Sequence, residues 1–238
     1  MESKLILGDA IEEMKKLPNN SIDLVLTDPP YGTTHQKWDS IIPFDEMWEQ
    51  LLRITKDRTP IILFAATPFD KLLASSNIKM YKHDWIWMKE QGTGQLNAKR
   101  QPLRQHEYIL LFYKKQPLYK PQFSYAEPYH IKRNIKSEGL NTYNDISQKS
   151  ETENKDGKRY PTSILRYNRE LRNRYHPTQK PQELLKYLIK TYTNEGDMVL
   201  DFTMGGGSTP VAAKGLNRKY IGIENSEKYY KSAKQRVT

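Results

Sequence analysis

Three short runs of this chain are dominated by apolar residues: 22–27, 60–66 and 198–202. A strand with one wet face alternates apolar and polar positions, whereas a run without that alternation fits a strand buried on both faces. Such strands lie inside a sheet covered by helices. The neighbouring segments fit that plan. Residues 4–7, 84–88, 108–113 and 220–224 read as further strands. Residues 10–17, 45–54, 69–75, 181–193, 210–216 and 226–236 have helical spacing. Pro18, Asn19 and Asn20 stop the first of these helices, and Pro181 opens the fourth. The alternation predicts an α/β fold with a doubly wound, mostly parallel sheet.

The chain has 238 residues, no cysteine and a formal net charge of +10. Lack of cysteine excludes disulfides, thiolate zinc sites, iron–sulfur clusters and a thiolate nucleophile. The five histidines, His35, His83, His106, His130 and His176, have no metal-ligand spacing. The longest apolar stretch, 60–69, is far short of the roughly 20 residues that span a bilayer. The first residues are charged throughout and lack the apolar core of a signal peptide. A soluble cytoplasmic protein is expected.

The charge is uneven. Segment 114–174 holds fourteen basic and seven acidic residues, so it carries most of the excess. It also holds seven tyrosines and phenylalanines, from Tyr119 to Tyr167. Basic side chains neutralise phosphates and aromatic rings stack on bases, so the composition points to a nucleic acid. The polar stretch 139–158 reads as a mobile loop in the free protein. The expected organisation is therefore 1–113, an insertion over 114–174, and 175–238.

Strand 198–202 runs into Gly205, Gly206 and Gly207 and then a helix. Glycines there allow positive φ and close approach of a ligand to the backbone. Glu224 ends the next strand, 23 residues after Asp201, where an acid can accept hydrogen bonds from ribose hydroxyls. The turn has neither the spacing of a dinucleotide fingerprint nor the Gly-Lys-Ser/Thr of a P-loop. A nucleoside cofactor is the expectation. Asp28, Pro29, Pro30 and Tyr31 stand at the end of the buried strand 22–27, the edge at which α/β sheets bind ligands. An exocyclic amine has two N–H donors. The Asp28 carboxylate can accept one, the Pro29 carbonyl the other, and Tyr31 can stack on the base.

Asp28-Pro29-Pro30-Tyr31 resembles the catalytic motif of S-adenosylmethionine-dependent DNA methyltransferases that modify exocyclic amines. Asp201 to Thr209 resembles their cofactor motif, with Gly206 where the usual form has serine. His176-Pro-Thr-Gln-Lys-Pro181 is similar to the segment that precedes it. The order of motifs is that of the β group, a circular permutation of the usual methyltransferase fold. The likeness covers about 5–115 and 174–228. It implies S-adenosylmethionine as cofactor. It also implies that Asp201, Phe202, Gly205, Gly207, Ser208 and Thr209 surround the methionine part and that Glu224 meets the ribose. By the same likeness Asp9 meets the adenine amine of the cofactor, and Thr178, Gln179 and Lys180 its methionine end. The residues alone leave Asp9 equally readable as a helix cap and Lys180 as the partner of a surface acid.

The resemblance further implies double-stranded DNA as substrate and a base flipped into the site. Lys99, Arg100, Arg104, Lys132 and Arg133 are the candidate DNA contacts, while Trp38 and loop 92–99 can close over the base. Trp85 and Trp87 are expected in the core. An aspartate at the first motif position favours adenine N6 over cytosine N4. A non-catalytic nucleic-acid-binding module of the same fold, or action on RNA or a protein amide, remains open. So do a homodimer and a restriction endonuclease partner. Methylation at cytosine C5 needs a cysteine, which the chain lacks.

Overall fold

The computed structural model describes residues 1–34, 39–134, 149–172 and 175–237. Trp38 and Arg174, with the first half of the expected mobile stretch 139–158, lie outside the described residues, as does the side chain of Arg133. The chain divides into two compact units, Met1–Lys120 with Ser163–Thr238, and Pro121–Thr162.

Among the described residues, the larger unit is built on fourteen strands and α-helices that alternate for most of its length. In chain order these begin with β1 Lys4–Leu7, α1 Ala10–Lys15, β2 Leu24–Thr27, α2 Phe44–Ile54, β3 Ile61–Ala65 and α3 Phe69–Ser76. The long strands β4 Tyr81–Thr93 and β5 Arg104–Phe112 follow. The smaller unit contributes β6 Ser124–Tyr125, β7 Tyr129–Asn134, β8 Lys149–Asn154 and β9 Lys158–Arg159. The chain returns through β10 Ile164–Arg166, α4 Gln182–Tyr192, β11 Met198–Asp201, α5 Ser208–Lys214, β12 Lys219–Glu224 and α6 Glu227–Val237.

Eight strands form one sheet in the order β1-β12-β11-β2-β3-β5-β4-β10. Every neighbouring pair is parallel except β3 with β5 and β5 with β4, so β5 alone runs against the rest. Successive side chains of a strand point to opposite faces, and both faces are dry here. Val25, Ile61, Leu63 and Leu200 pack with Met14, Met47, Leu51 and Leu73 of α1, α2 and α3. Leu24, Leu26, Ile62, Phe64 and Val199 pack with Leu184, Leu188, Ile189 and Ala212 of α4 and α5. Trp85 and Trp87 are buried in this second layer, as expected. Trp85 Nε1 donates to the Tyr192 hydroxyl at 3.0 Å.

The structure extends the expected strands 84–88 and 108–113 into a long hairpin. Tyr108 of β5 lies opposite Ala65, the last residue of β3, so the residues before Tyr108 have left β3 behind. They remain paired with β4, from Glu107 opposite Trp87 to Arg104 opposite Thr93. The hairpin thus overhangs the edge of the sheet at which β2, β11 and β12 end. Polar residues on both of its faces hid it in the sequence.

The smaller unit is two antiparallel ribbons, β6 with β9 and β7 with β8. The described part of the stretch expected to be mobile holds β8 and the first residue of β9. Phe123 packs on Tyr160 with ring centres 4.9 Å apart, and Lys158 sits 3.8 Å from the Phe123 centroid. Residues 121–162 carry seven basic and six acidic side chains. The excess of segment 114–174 therefore lies in its flanks, within the larger unit.

Candidate active site

Two turns meet at the C-terminal edge of the sheet because β2 and β11 are neighbours. Thr27, the last residue of β2, is buried and uses its hydroxyl as a junction. Its Oγ1 donates to Asp201 Oδ1 at 2.5 Å and lies 2.7 Å from Thr203 Oγ1. Thr203 Oγ1 in turn donates to the Asp28 carbonyl at 3.1 Å. The turn after β2 and the turn after β11 are thereby held at fixed spacing. Neither threonine stood out in the sequence, since a lone threonine at a strand end carries no motif.

Asp28 is half-buried. Its Oδ1 accepts from the Tyr31 hydroxyl at 2.6 Å, and its Oδ2 pairs with Lys180. The Tyr31 ring stacks on Phe69, with centroids 5.0 Å apart and planes at 22°. Lys180 is buried and pairs with two half-buried carboxylates, Asp28 and Glu107, which corrects the surface-acid reading. Glu107 also pairs with Lys89 at 2.6 Å. Burial pushes the Asp28 carboxyl above its usual range by more than the Lys180 ammonium lowers it. For Glu107 the balance is opposite. Burial would raise it, but Lys180 and Lys89 together hold it below the usual range. Lys180 is raised, because the two carboxylates outweigh its burial.

Asp39 fixes the rest of this turn. Its Oδ1 accepts from the backbone N–H groups of Tyr31 at 2.8 Å and Gly32 at 2.9 Å. Its Oδ2 accepts from those of Thr33 at 2.9 Å and Thr34 at 2.6 Å. Burial alone would raise this carboxyl, yet these donors hold it below its ordinary value.

The glycine turn is built for close approach. Gly205 has φ +52°, and a Cβ there would lie 3.3 Å from the His176 ring. Gly207 has φ +77°, and its Cβ would meet that of Ala233 on α6 at 2.8 Å. Glu224 Oε2 accepts from Gly205 N at 2.9 Å, and Oε1 from Ser226 N at 2.8 Å. Each oxygen keeps a second lone pair. Burial raises the Glu224 carboxyl, and raises that of Asp201 to about 6. Burial and the nearby Lys180 lower His176 to about 4, so the ring over the turn is neutral at pH 7.

These parts line one cavity of about 350 Å³. Its walls include Asp28, Pro29, Pro30 and Tyr31. Asp201, Phe202, Gly205, Ser208, Thr209 and Glu224 line it too, as do Asp9, Thr178, Gln179 and Lys180. Gly207 is not among the lining residues, and its freedom serves the packing of α6. Asp9 caps α1, accepting from Ile11 N and Glu12 N through Oδ1, and also lines the cavity. The cap reading is thus met and the ligand reading is left open. Gln179 braces the loop through Glu170 at 2.6 Å. Lys99 and Arg100 are exposed on the turn after β4, and Arg104 begins β5. Lys132 belongs to the smaller unit and faces Glu151 at 3.4 Å. Among the described residues no three His, Asp or Glu side chains form a metal cluster, and no helix is long and apolar enough to cross a membrane.

Asp39→Ala leaves four N–H groups without their acceptor, at a cost of about 2 kcal/mol or more. Hydrogen exchange at amides 31–34 will accelerate while the sheet stays protected; unchanged exchange there contradicts the role of Asp39. Asp201 has a folded pKa of about 6, above its ordinary value of 3.8. Folding therefore takes up a proton between these values, and stability is lost as pH rises through about 6. Asp201→Asn will match or exceed wild-type Tm at pH 8 and lose that advantage below pH 4. A larger deficit at pH 8 than at pH 4 contradicts the assignment.

Comparison with known proteins places the fold. A family model described as DNA methylase, of N6 and N4 methyltransferases, matches residues 22–235. The chain is 30% identical to the Type II methyltransferase M.HpaI of Haemophilus parainfluenzae, over all of this chain and 74% of that protein. It is 29% identical to the DNA adenine methyltransferase YhdJ of Escherichia coli K12, over 99% of this chain and 83% of that protein. Among solved structures, the PvuII cytosine-N4-specific DNA methyltransferase superposes with a TM-score of 0.70 at 16% identity, covering all of this chain and 87% of that one. The M1.HpyAVI–SAM complex does so at 0.64 and 23%, covering 98% of each. At such identities the structures speak for the α/β fold. The family match runs through the strand that carries Asp28, the Lys180 segment and the glycine turn, and so the chain belongs to the N6/N4 DNA methylase family.

Proposed function

We propose that this chain transfers a methyl group from S-adenosylmethionine to the N6 amine of an adenine flipped out of double-stranded DNA. The observation that carries the reading is the shared cavity. An amine acceptor, Asp28, and an acidic strand end suited to a ribose, Glu224, open into the same space. Its volume of about 350 Å³ is in the range of cofactor sites.

The residues fit the cofactor. Backbone at Gly205 approaches the cavity without a Cβ, and Glu224 is oriented by two backbone donors with lone pairs left for vicinal hydroxyls. When bound, the cofactor supplies an electrophilic methyl on a sulfonium. The protein's part is positioning and charge. Asp28 and the Pro29 carbonyl accept the two N–H donors of the amine and stabilise the positive charge that develops on nitrogen. Tyr31 orients the Asp28 carboxylate through its hydroxyl, and its ring lines the cavity where a base can stack. Holding the nitrogen in line with the methyl converts an encounter into an intramolecular step. No side chain has to form a covalent intermediate.

DNA as substrate is supported by the family and by Lys99, Arg100 and Arg104 on the overhanging hairpin, where phosphates can be met from the side of the site. Lys132 and Arg133 are assigned to DNA contact from the smaller unit. Adenine is supported by the aspartate at the first motif position and by the relative named as an adenine methyltransferase.

The test is transfer of labelled methyl to unmethylated double-stranded DNA. Wild type will label the DNA. Asp28→Ala will lose at least about 100-fold in rate, on the scale of a removed transition-state contact, with cofactor affinity retained. Equal transfer by Asp28→Ala contradicts the mechanism. DNA binding by wild type with no transfer to any DNA favours a non-catalytic module.

A further inference from the structure

Four charged side chains are linked pairwise, and three of them, Asp28, Lys180 and Glu107, line the cavity. Asp28 pairs with Lys180, Lys180 contacts Glu107 at 3.3 Å, and Glu107 pairs with Lys89 at 2.6 Å. The side chains of Lys180, Lys89 and Glu107 are 7%, 8% and 15% exposed. The signs alternate and cancel, as buried charges require. Aromatic faces support both cations. Lys180 Nζ is 5.0 Å from the Phe64 centroid and Lys89 Nζ is 5.2 Å from that of Trp87.

Neutrality alone does not require two further details. Both carboxylate oxygens of Asp28 are already occupied, Oδ1 by the Tyr31 hydroxyl and Oδ2 by Lys180. Glu107 Oε2, by contrast, is buried and lies 3.3 Å from the same ammonium without the geometry of a hydrogen bond. Each oxygen of Asp28 keeps a second lone pair, but an amine that approaches along the direction of either present donor displaces that donor. Tyr31 is held by its ring against Phe69. Lys180 has an acceptor within reach.

We propose that Glu107 is a positioning residue, which receives the Lys180 ammonium when the amino group of the substrate takes Asp28 Oδ2. The inference rests on the proposed amine transfer. The exchange swaps one donor on Asp28 for another and makes or breaks no covalent bond. The ammonium shifts between two carboxylates and stays paired, so no buried charge is stranded at either stage. Without Glu107, Lys180 competes with the substrate for Asp28, because leaving it means an unpaired cation in a buried place.

Glu107→Gln preserves shape and removes the charge. Because that leaves Lys89 unpaired, the combination Glu107→Gln with Lys89→Met removes one charge of each sign and guards against simple misfolding. On DNA that wild type methylates, both will slow single-turnover transfer at least tenfold, with cofactor Kd within twofold of wild type. Transfer within twofold of wild type overturns the proposal, as does a parallel loss of cofactor binding. A second readout needs no DNA. In 15N-lysine spectra, Asp28→Asn will leave Lys180 charged above pH 9, because Glu107 takes over the ammonium. Adding Glu107→Gln will lower that titration by about two units or more, as burial then acts alone, with Tyr31 and His176 the other titratable neighbours. An equal drop in Asp28→Asn alone overturns the proposal. Absence of methyl transfer by wild type, with these spectra as expected, counts against the proposed function and not against the role of Glu107.

Discussion

Asp28 and Lys180 are 152 residues apart in the chain and in contact in the fold. One directly follows the central strand β2 and the other precedes α4, so the pair joins the segment before the smaller unit to the segment after it. A buried ammonium is tolerable only with a partner. This pairing fixes the Lys180 loop over the end of β2, and with it His176, Thr178 and Gln179 around the cavity. The hydroxyl junction of Thr27 and Thr203 does the same from the sheet side. Together they bring the two turns to one space.

The site is costly to keep. Burial raises the carboxyls of Asp28, Asp201 and Glu224, all at the ends of adjacent or nearby parallel strands. These three raised acids disfavour the folded state at neutral pH, and each is offset by specific donors. Asp201 has the Thr27 hydroxyl, Glu224 has two backbone N–H groups, and Asp28 has Tyr31 and Lys180. A core of the same size could have been apolar. Ionisable groups held this way at the edge of a sheet fit a site where charge and orientation matter more than stability.

The sequence made the contiguous parts legible. Buried strands show as apolar runs, and Asp28-Pro29-Pro30-Tyr31 and the Gly205 turn are written in adjacent residues. The residues that support them are scattered. Asp39 acts on a turn five to eight positions before it, and nothing in its own neighbours marks it. Glu107 and Lys89 sit on a hairpin whose polar faces mask its period of two. Charge misled in a different way. A basic excess over 114–174 is real, yet 121–162 is nearly balanced, and strands β7 and β8 set His130 and Lys132 against Glu151. Composition counts charges, and only folding shows which ones face one another.

Nucleoside mass spectrometry of DNA treated with the purified protein and S-adenosylmethionine tests the central claim most directly, because it identifies the atom that receives the methyl group. The account predicts N6-methyladenine as the product. N4-methylcytosine in its place would contradict the assignment of the base, and an absence of any methylated amine would contradict the account as a whole.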